Sequence, residues 1–460
     1  MRKSLLVAAL VVCAAAPAFA QNSDIESLSG LQFNFANPGA RALGMGGAFL
    51  GLADDASAVE ANPAGLTILR RPEISIEARN YTLAQVLTTS GTFPELERTG
   101  FEHHSDRIQI AFASAVYPIG NFRVGAYFHE PLRNSGSGAV VPTEGRFGQV
   151  VGVPNFFLPR NGTPVSRDEC NRIREEDFTA CAQYELNPFI SAVDVQQRTW
   201  GISGAWQVTP RFSVGASARY QTLREEALTL RVSSDLQTAQ VTAQATASVG
   251  PDGDIALKEE NDFTLGAGFK FTLINDKLWL GGVYKQGPSF DAPIFYGDLN
   301  TGFALSQVAE TQFHVPDIAG VGISYRPRPE LTVNFDAVHV TYSNLVDNFI
   351  SLSQSVRDAG SPYEADDVTE LRLGAEYAFV TRVPFLLRAG VWNDPAHSVR
   401  YAGPLNSIDR VAEAILFPEG EDQLHLSVGG GFSFQRFQID FAYDTSKYYK
   451  IGSLSMVTRF

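Results

Sequence analysis

From Phe437 to Asp444 the chain alternates strictly. Phe437, Ile439, Phe441 and Tyr443 fall on one side, and Gln438, Asp440, Ala442 and Asp444 on the other. The same beat runs through Leu424, Leu426, Val428, Phe432 and Phe434, which oppose His425, Ser427 and Ser433. It recurs where Phe212, Val214, Ala216, Ala218 and Tyr220 oppose Ser213, Gly215, Ser217 and Arg219, and where Ile108, Ile110, Phe112 and Val116 oppose Gln109 and alanines. A period of two is the signature of a strand with two different surroundings. Read along the chain, it predicts about fourteen strands, near 72–90, 104–118, 121–132, 194–208, 211–231, 255–273, 277–290, 310–327, 330–344, 368–381, 384–394, 424–434, 437–446 and 449–460.

A soluble sandwich would alternate as well, so the links decide. Short ones fall at Ile119-Gly120, Thr209-Pro210, Ile274-Asn275-Asp276, Arg328-Pro329, Arg382-Val383 and Gln435-Arg436. Between them lie the long segments 91–103, 133–193, 232–254, 291–309, 345–367 and 395–423. Short turns at one end and long loops at the other predict an all-β fold, a transmembrane antiparallel barrel, with both chain ends on the short-turn, periplasmic side. One long-side link, Thr445 to Tyr448, is short.

Composition agrees. Charged residues make up only 19% and apolar ones 44%, yet the mean hydropathy is −0.06. That is too few charges for an ordinary soluble surface and too little hydropathy for a helical bundle. Strands with one face to lipid and one to a polar lumen meet both conditions. No stretch after residue 20 approaches the roughly 20 apolar residues of a membrane helix. The net charge of −14 excludes a nucleic-acid partner, since no basic surface tracks phosphates.

Met1 to Ala20 reads as a signal peptide: Arg2 and Lys3, the apolar run Leu5 to Ala16, then Ala18-Phe19-Ala20 before Gln21. Its removal moves the charge from −14 to −16 and leaves two cysteines. Cys170 and Cys181, eleven apart in a polar segment, predict a disulfide in an exported chain. The sequence has no G-x-S-x-G, H-E-x-x-H or P-loop, so no enzyme, cofactor or metal site is expected.

Residues 21–71 precede the first strand. The segment is rich in Gly, Ala and turn residues, too apolar for a disordered tail and too small for a domain of its own. A barrel lumen would supply the missing packing, which predicts 1–20 as signal, 21–71 as a luminal plug and 72–460 as barrel. Asp54-Asp55-Ala56-Ser57-Ala58 followed by Asn62-Pro63-Ala64-Gly65-Leu66 resembles the N-terminal hatch of the FadL-type transporters of long-chain fatty acids and hydrophobic compounds. Gly30-Leu31-Gln32-Phe33-Asn34-Phe35 is similar to that hatch's opening. His314-Val315-Pro316-Asp317 and Leu387-Arg388-Ala389-Gly390-Val391 also resemble the family.

The resemblance implies a 14-stranded plugged barrel of the bacterial outer membrane, passing hydrophobic small molecules passively. It places gating on Asn62, Pro63 and Ala64. It also implies a kinked strand that opens the wall toward lipid; Gly125 and Pro131 are the candidates, because Pro cannot donate to a ladder. Phe33 and Phe35 are candidate pocket residues, and Arg41, Arg70, Arg71 and Arg219 candidate partners for a ligand carboxylate. The expected partners are the ligand, outer-membrane lipid and the barrel assembly machinery, whose recognition signal the C-terminal Phe460 resembles. Gly39 to Ala48 is equally similar to barrels of gliding and protein-secretion systems, so a structural barrel for secretion or surface attachment is the alternative.

Overall fold

Fourteen strands close into a barrel in the computed structural model, which describes residues 35–85, 101–140, 154–158, 163–177, 180–185, 189–232, 239–249, 255–309, 312–347, 362–404, 420–447 and 449–460. The predicted signal peptide and Phe33 lie outside the described residues. In chain order the strands are β1 (Glu73–Gln85), β2 (Phe101–Ile119), β3 (Phe122–Val140), β4 (Phe189–Thr209), β5 (Phe212–Val232), β6 (Glu260–Ile274) and β7 (Leu278–Lys285). They continue with β8 (Ile318–Arg328), β9 (Leu331–Val340), β10 (Val368–Phe379), β11 (Phe385–Asp394), β12 (Gln423–Ser433), β13 (Phe437–Thr445) and β14 (Tyr449–Arg459). Each pairs antiparallel with the next, and β14 returns to β1 with Glu73 opposite Arg459, so no edge remains.

The alternation sorts as lipid and lumen require. In β13 the four large apolar residues are exposed, while Gln438, Asp440, Ala442 and Asp444 are buried. Ile202, Leu265 and Val428 are each more than half exposed on the outer face. Arg79, Arg372 and Arg388, among the largest fully buried side chains, point inward. Burial is thus inverted relative to a water-soluble protein, which only a hydrocarbon exterior makes favourable.

The strand bodies match the periodicity, and their loop-side ends do not. The segment 133–193 holds the far end of β3 to Val140 and the start of β4 at Phe189, paired beyond the lipid. It also holds short strands at Pro154–Leu158, Thr163–Val165 and Ala182–Glu185, and the helix Arg167–Glu176. Cys170 and Cys181 are disulfide-bonded there, with Cα atoms 5.5 Å apart. The upper half of β5 turns from β6 to pair with Ala239–Ala245, which pairs with Ile294–Asp298 and then Ser306–Ala309. Residues 255–257, expected to open β6, pair instead with 247–249. Above the lipid no inside–outside contrast marks a strand, so periodicity could not place these extensions.

Residues 35–71 fill the lumen. Ala40–Leu43 and Ala58–Ala61 form single helical turns, and Pro63–Ile68 a 3-10 turn. Met45, Phe49, Leu52, Val59 and Leu66 pack with Phe112, Val116 and Tyr127 of the wall. Gly46 and Gly47 sit at φ 66° and 74°, where side chains are disfavoured. A Cβ on Gly47 would also lie 2.4 Å from the Arg372 guanidinium.

Since the disulfide lies in the loop-side subdomain, replacing Cys170 and Cys181 by Ser should speed proteolysis of segment 154–185. The heat-induced gel-mobility shift that reports an intact barrel should not change.

Candidate functional site

Polar side chains of the wall hold the hatch backbone. Asp336 of β9 accepts from the Phe49 and Leu50 amides at 2.6 and 2.9 Å. Ser114, Ser203 and Ser213, on β2, β4 and β5, donate to the carbonyls of Ala56, Val59 and Ala64. Lys270 of β6 donates to Leu52, and Arg123 of β3 to Leu69. Ser455 of β14 accepts from Ala40, and Glu77 of β1 from Gly39. Arg41 is not free for a ligand: it binds Asp54 at 2.5 Å and Glu376 at 2.9 Å, and Glu376 binds Arg388 at 2.7 Å.

Asn62, Pro63 and Ala64 sit at the tightest part of this seam. The Asn62 amide donates to Leu50 O and to Phe269 O of β6, both at 3.1 Å, and its Oδ1 accepts from the Ala64 amide. The wall admits them because it has no side chains there. A Cβ on Gly268 would meet Asn62 Oδ1 at 2.3 Å, and one on Gly215 would meet the Ala64 nitrogen at 2.5 Å. The motif therefore clips the hatch to β5 and β6.

Across the hatch from Arg41 lies a cavity of about 50 Å³. Phe35, Pro131, Val315 and Ile318 are its apolar lining, and Glu60, His129, Arg219 and Lys285 its polar and charged lining. Gln221 links the floor, accepting from Gln197 and Thr199 and donating to Thr264. Lys285 Nζ bonds Glu60 Oε1 at 2.9 Å. Arg219 donates through Nη2 to Leu265 O and Gln286 O, while its buried Nε has no partner among the described residues. Burial opposes ionisation of Glu60, but Lys285, Arg219 and His129 pull its pKa down to about 2. Of the four arginines predicted to meet a carboxylate, Arg219 alone lines this cavity. Arg70 and Arg71 are exposed at the periplasmic end.

The wall breaks beside the cavity. β2 and β3 pair from Ile119–Phe122 up to Phe112–His129 and no further. β3 then shifts register against β4: His129 opposes Thr199 and Leu132 opposes Gln197, so Glu130 and Pro131 bulge. Beyond that point β2 pairs with β1 alone, through its own shifts. Gly125, by contrast, sits in unbroken ladder on both sides, opposite Val116 and Ser203. Its missing Cβ makes room for Val59 of the hatch. The register shift falls at Glu130 and Pro131, where Pro131 has no N–H to donate, and Gly125 lies outside it.

Phe35 packs on Tyr342, with ring centroids 6.1 Å apart, and lines the cavity. Glu60, His129, Gln197, Gln221 and Lys285 were not singled out in the sequence. They come from the hatch and from four strands, and no local spacing links them.

The anchors yield two expectations. Asp336→Ala leaves two buried amides unpaired, and Asn62→Ala removes a three-bond clip. Each should loosen the hatch by about 2–5 kcal/mol, seen as faster proteolysis of residues 35–71 and larger conductance bursts in planar bilayers. Glu60 has a depressed folded pKa, so its contribution is complete above its ordinary value of 4.5 and is lost as pH falls toward about 2. Hatch hydrogen exchange, corrected for intrinsic rate, should rise across that window in the wild type and stay level in Glu60→Gln.

The sequence matches the family model described as outer membrane protein transport protein (OMPP1/FadL/TodX) over residues 179–451. Among curated proteins the search finds no match. Similar solved structures include the CymD monoaromatic hydrocarbon channel, at 18% identity and TM-score 0.55, and a Pseudomonas aeruginosa FadL homologue, at 14% and 0.58. The P. putida toluene transporter TodX is similar at 13% and 0.55. Each alignment covers 93% of this chain and 99% of the other. At these identities the likeness concerns the fold; the family rests on the sequence match, which spans more than half of the chain. The chain belongs to the OMPP1/FadL/TodX family of outer-membrane transport proteins, and is a plugged barrel of the bacterial outer membrane.

Proposed function

We propose that the protein takes up hydrophobic molecules passively, through the hatch-side cavity and out by the break between β2 and β3. The carrying observation is their adjacency: Pro131 and His129 line the cavity and also stand where the ladder ends. The names of the similar structures, a monoaromatic hydrocarbon channel, a FadL homologue and a toluene transporter, support ligands of that class.

The cavity describes a closed state. An engineered apolar cavity of roughly 150 Å³ holds one benzene, three times the space here, so admitting a ligand requires movement. The wall anchors limit which movement. At about 1 kcal/mol per net hydrogen bond, releasing nine or ten together costs on the order of 10 kcal/mol, a population near one in ten million. Whole-hatch expulsion is therefore too rare to gate uptake. Phe35 to Pro38, which lines the cavity and whose Asn37 bonds Gly47 and Arg79, is the proposed moving part. Asn62, Pro63 and Ala64 then serve as the fixed end of the gate.

The charged side suits an amphipathic ligand: an apolar tail against Phe35, Val315 and Ile318, and an acid or hydroxyl toward the free Nε of Arg219. Vesicles carrying the purified protein should take up labelled toluene and oleate faster than empty ones. Thr199→Phe, which fills the cavity, should slow both. Arg219→Gln should slow oleate several-fold and leave toluene nearly unchanged. Equal uptake by protein-bearing and empty vesicles would defeat the proposal.

A further inference from the structure

Although the chain is strongly acidic overall, its periplasmic end is basic. Arg70 and Arg71 enter β1 exposed. Arg211, Lys277, Arg328, Arg382 and Arg436 then stand exposed, one in each of five turns. None of these seven has an ion pair among the described residues. On these turns the only exposed acidic side chain is Asp276; Glu330 is half-buried. The cations are spread around the rim rather than gathered in one patch.

Directly above them lies a belt of outward aromatic residues. Trp206 stacks on Phe122 near Arg211, with centroids 5.9 Å apart. Phe379 stacks on Phe385 beside Arg382, at 6.0 Å, and Phe434 on Phe437 around Arg436, at 4.5 Å. Tyr325 is exposed near Arg328. Aromatic rings gather at the boundary between hydrocarbon and headgroups. The cations lie one to five residues from these rings, on the turn side of them, and so stand at phosphate depth, where a guanidinium can bind a phosphate through two parallel hydrogen bonds.

From this arrangement we infer that the periplasmic rim is a binding ring for anionic phospholipid headgroups of the inner leaflet. Its occupant is lipid rather than an acidic protein, because the charges follow the circumference and stay in register with the aromatic belt. A protein partner would need them on one continuous surface. The ring would hold the barrel at fixed depth and enrich anionic lipid around it.

The native tryptophans report on this, since Trp206 is nearly half exposed on the belt. Full-length protein would be placed in phosphatidylcholine vesicles containing about 20 mol% phosphatidylglycerol, a content at which surface charge is substantial. Bromine would be carried either by the phosphatidylglycerol or by an equal fraction of the phosphatidylcholine. The inference expects brominated phosphatidylglycerol to quench about two-fold more. The excess should vanish near 0.5 M NaCl, where the Debye length is about 4 Å. It should also vanish when the five turn cations and Arg70 and Arg71 are all changed to Gln. A single Arg211→Gln variant, beside Trp206 and least demanding for folding, should reduce it in part. Equal quenching by the two lipids at low salt overturns the inference, as does an excess that survives charge removal in a variant retaining the folded-barrel gel shift. Retention of an acidic periplasmic protein with equal quenching would overturn it in favour of a protein partner.

Discussion

The backbone of the hatch is mostly irregular, and it sits where water is scarce. Its amides and carbonyls cannot all satisfy one another, and each left unpaired costs about as much as a lost hydrogen bond. The barrel wall completes the count. Asp336, Lys270, Glu77, Arg123 and a set of serines reach inward from strands around the circumference, each to a hatch main-chain atom. The same constraint explains two oddities of the chain: buried charges in a membrane protein, and glycines within strands. Some of the charges are partners of the plug, as Asp336, Lys270 and Glu77 are, and others, such as Arg372 with Glu370 and Arg388 with Asp440, pair within the wall. Gly215, Gly268, Gly281 and Gly390 are where plug and wall approach too closely for a side chain.

Function follows from where this satisfaction thins out. Around Asn62 the seam is tight, with the side chain bonded to the hatch, the wall and its own turn. Beside Phe35 and Pro131 the fit opens into a cavity, and the nearest strand loses its partner. Arg219 Nε and His129 Nε2, which line the cavity, are buried without a hydrogen-bond partner among the described residues. The proposed route for cargo runs on that side, while the rest of the hatch is anchored to the wall.

Parts of the site were readable beforehand. Pro131 was identifiable as a break because a missing N–H has a local consequence. Asn62-Pro63-Ala64 was identifiable by resemblance, though its role as an anchor depends on Phe269 and Gly268, some two hundred residues away. Arg219 was one of four equal candidates. Arg41 differs from it only in facing Asp54 and Glu376 rather than a cavity. Glu60 and Lys285 drew no reading at all, since nothing in the text of the chain brings residues 60 and 285 within 2.9 Å.

Alternation between lipid and lumen is a property of each strand by itself, so the sequence alone determined the strand bodies, the inward polar face, the side carrying the short turns and the barrel class. It also showed a segment that needed to be buried inside something. Register, strand extensions beyond the lipid, the place where β2 and β3 part and the groups lining the cavity depend on pairs far apart in the chain. Those pairs arise only when the barrel closes around its hatch, because closure is what brings fourteen independent strands to face one another and a common core.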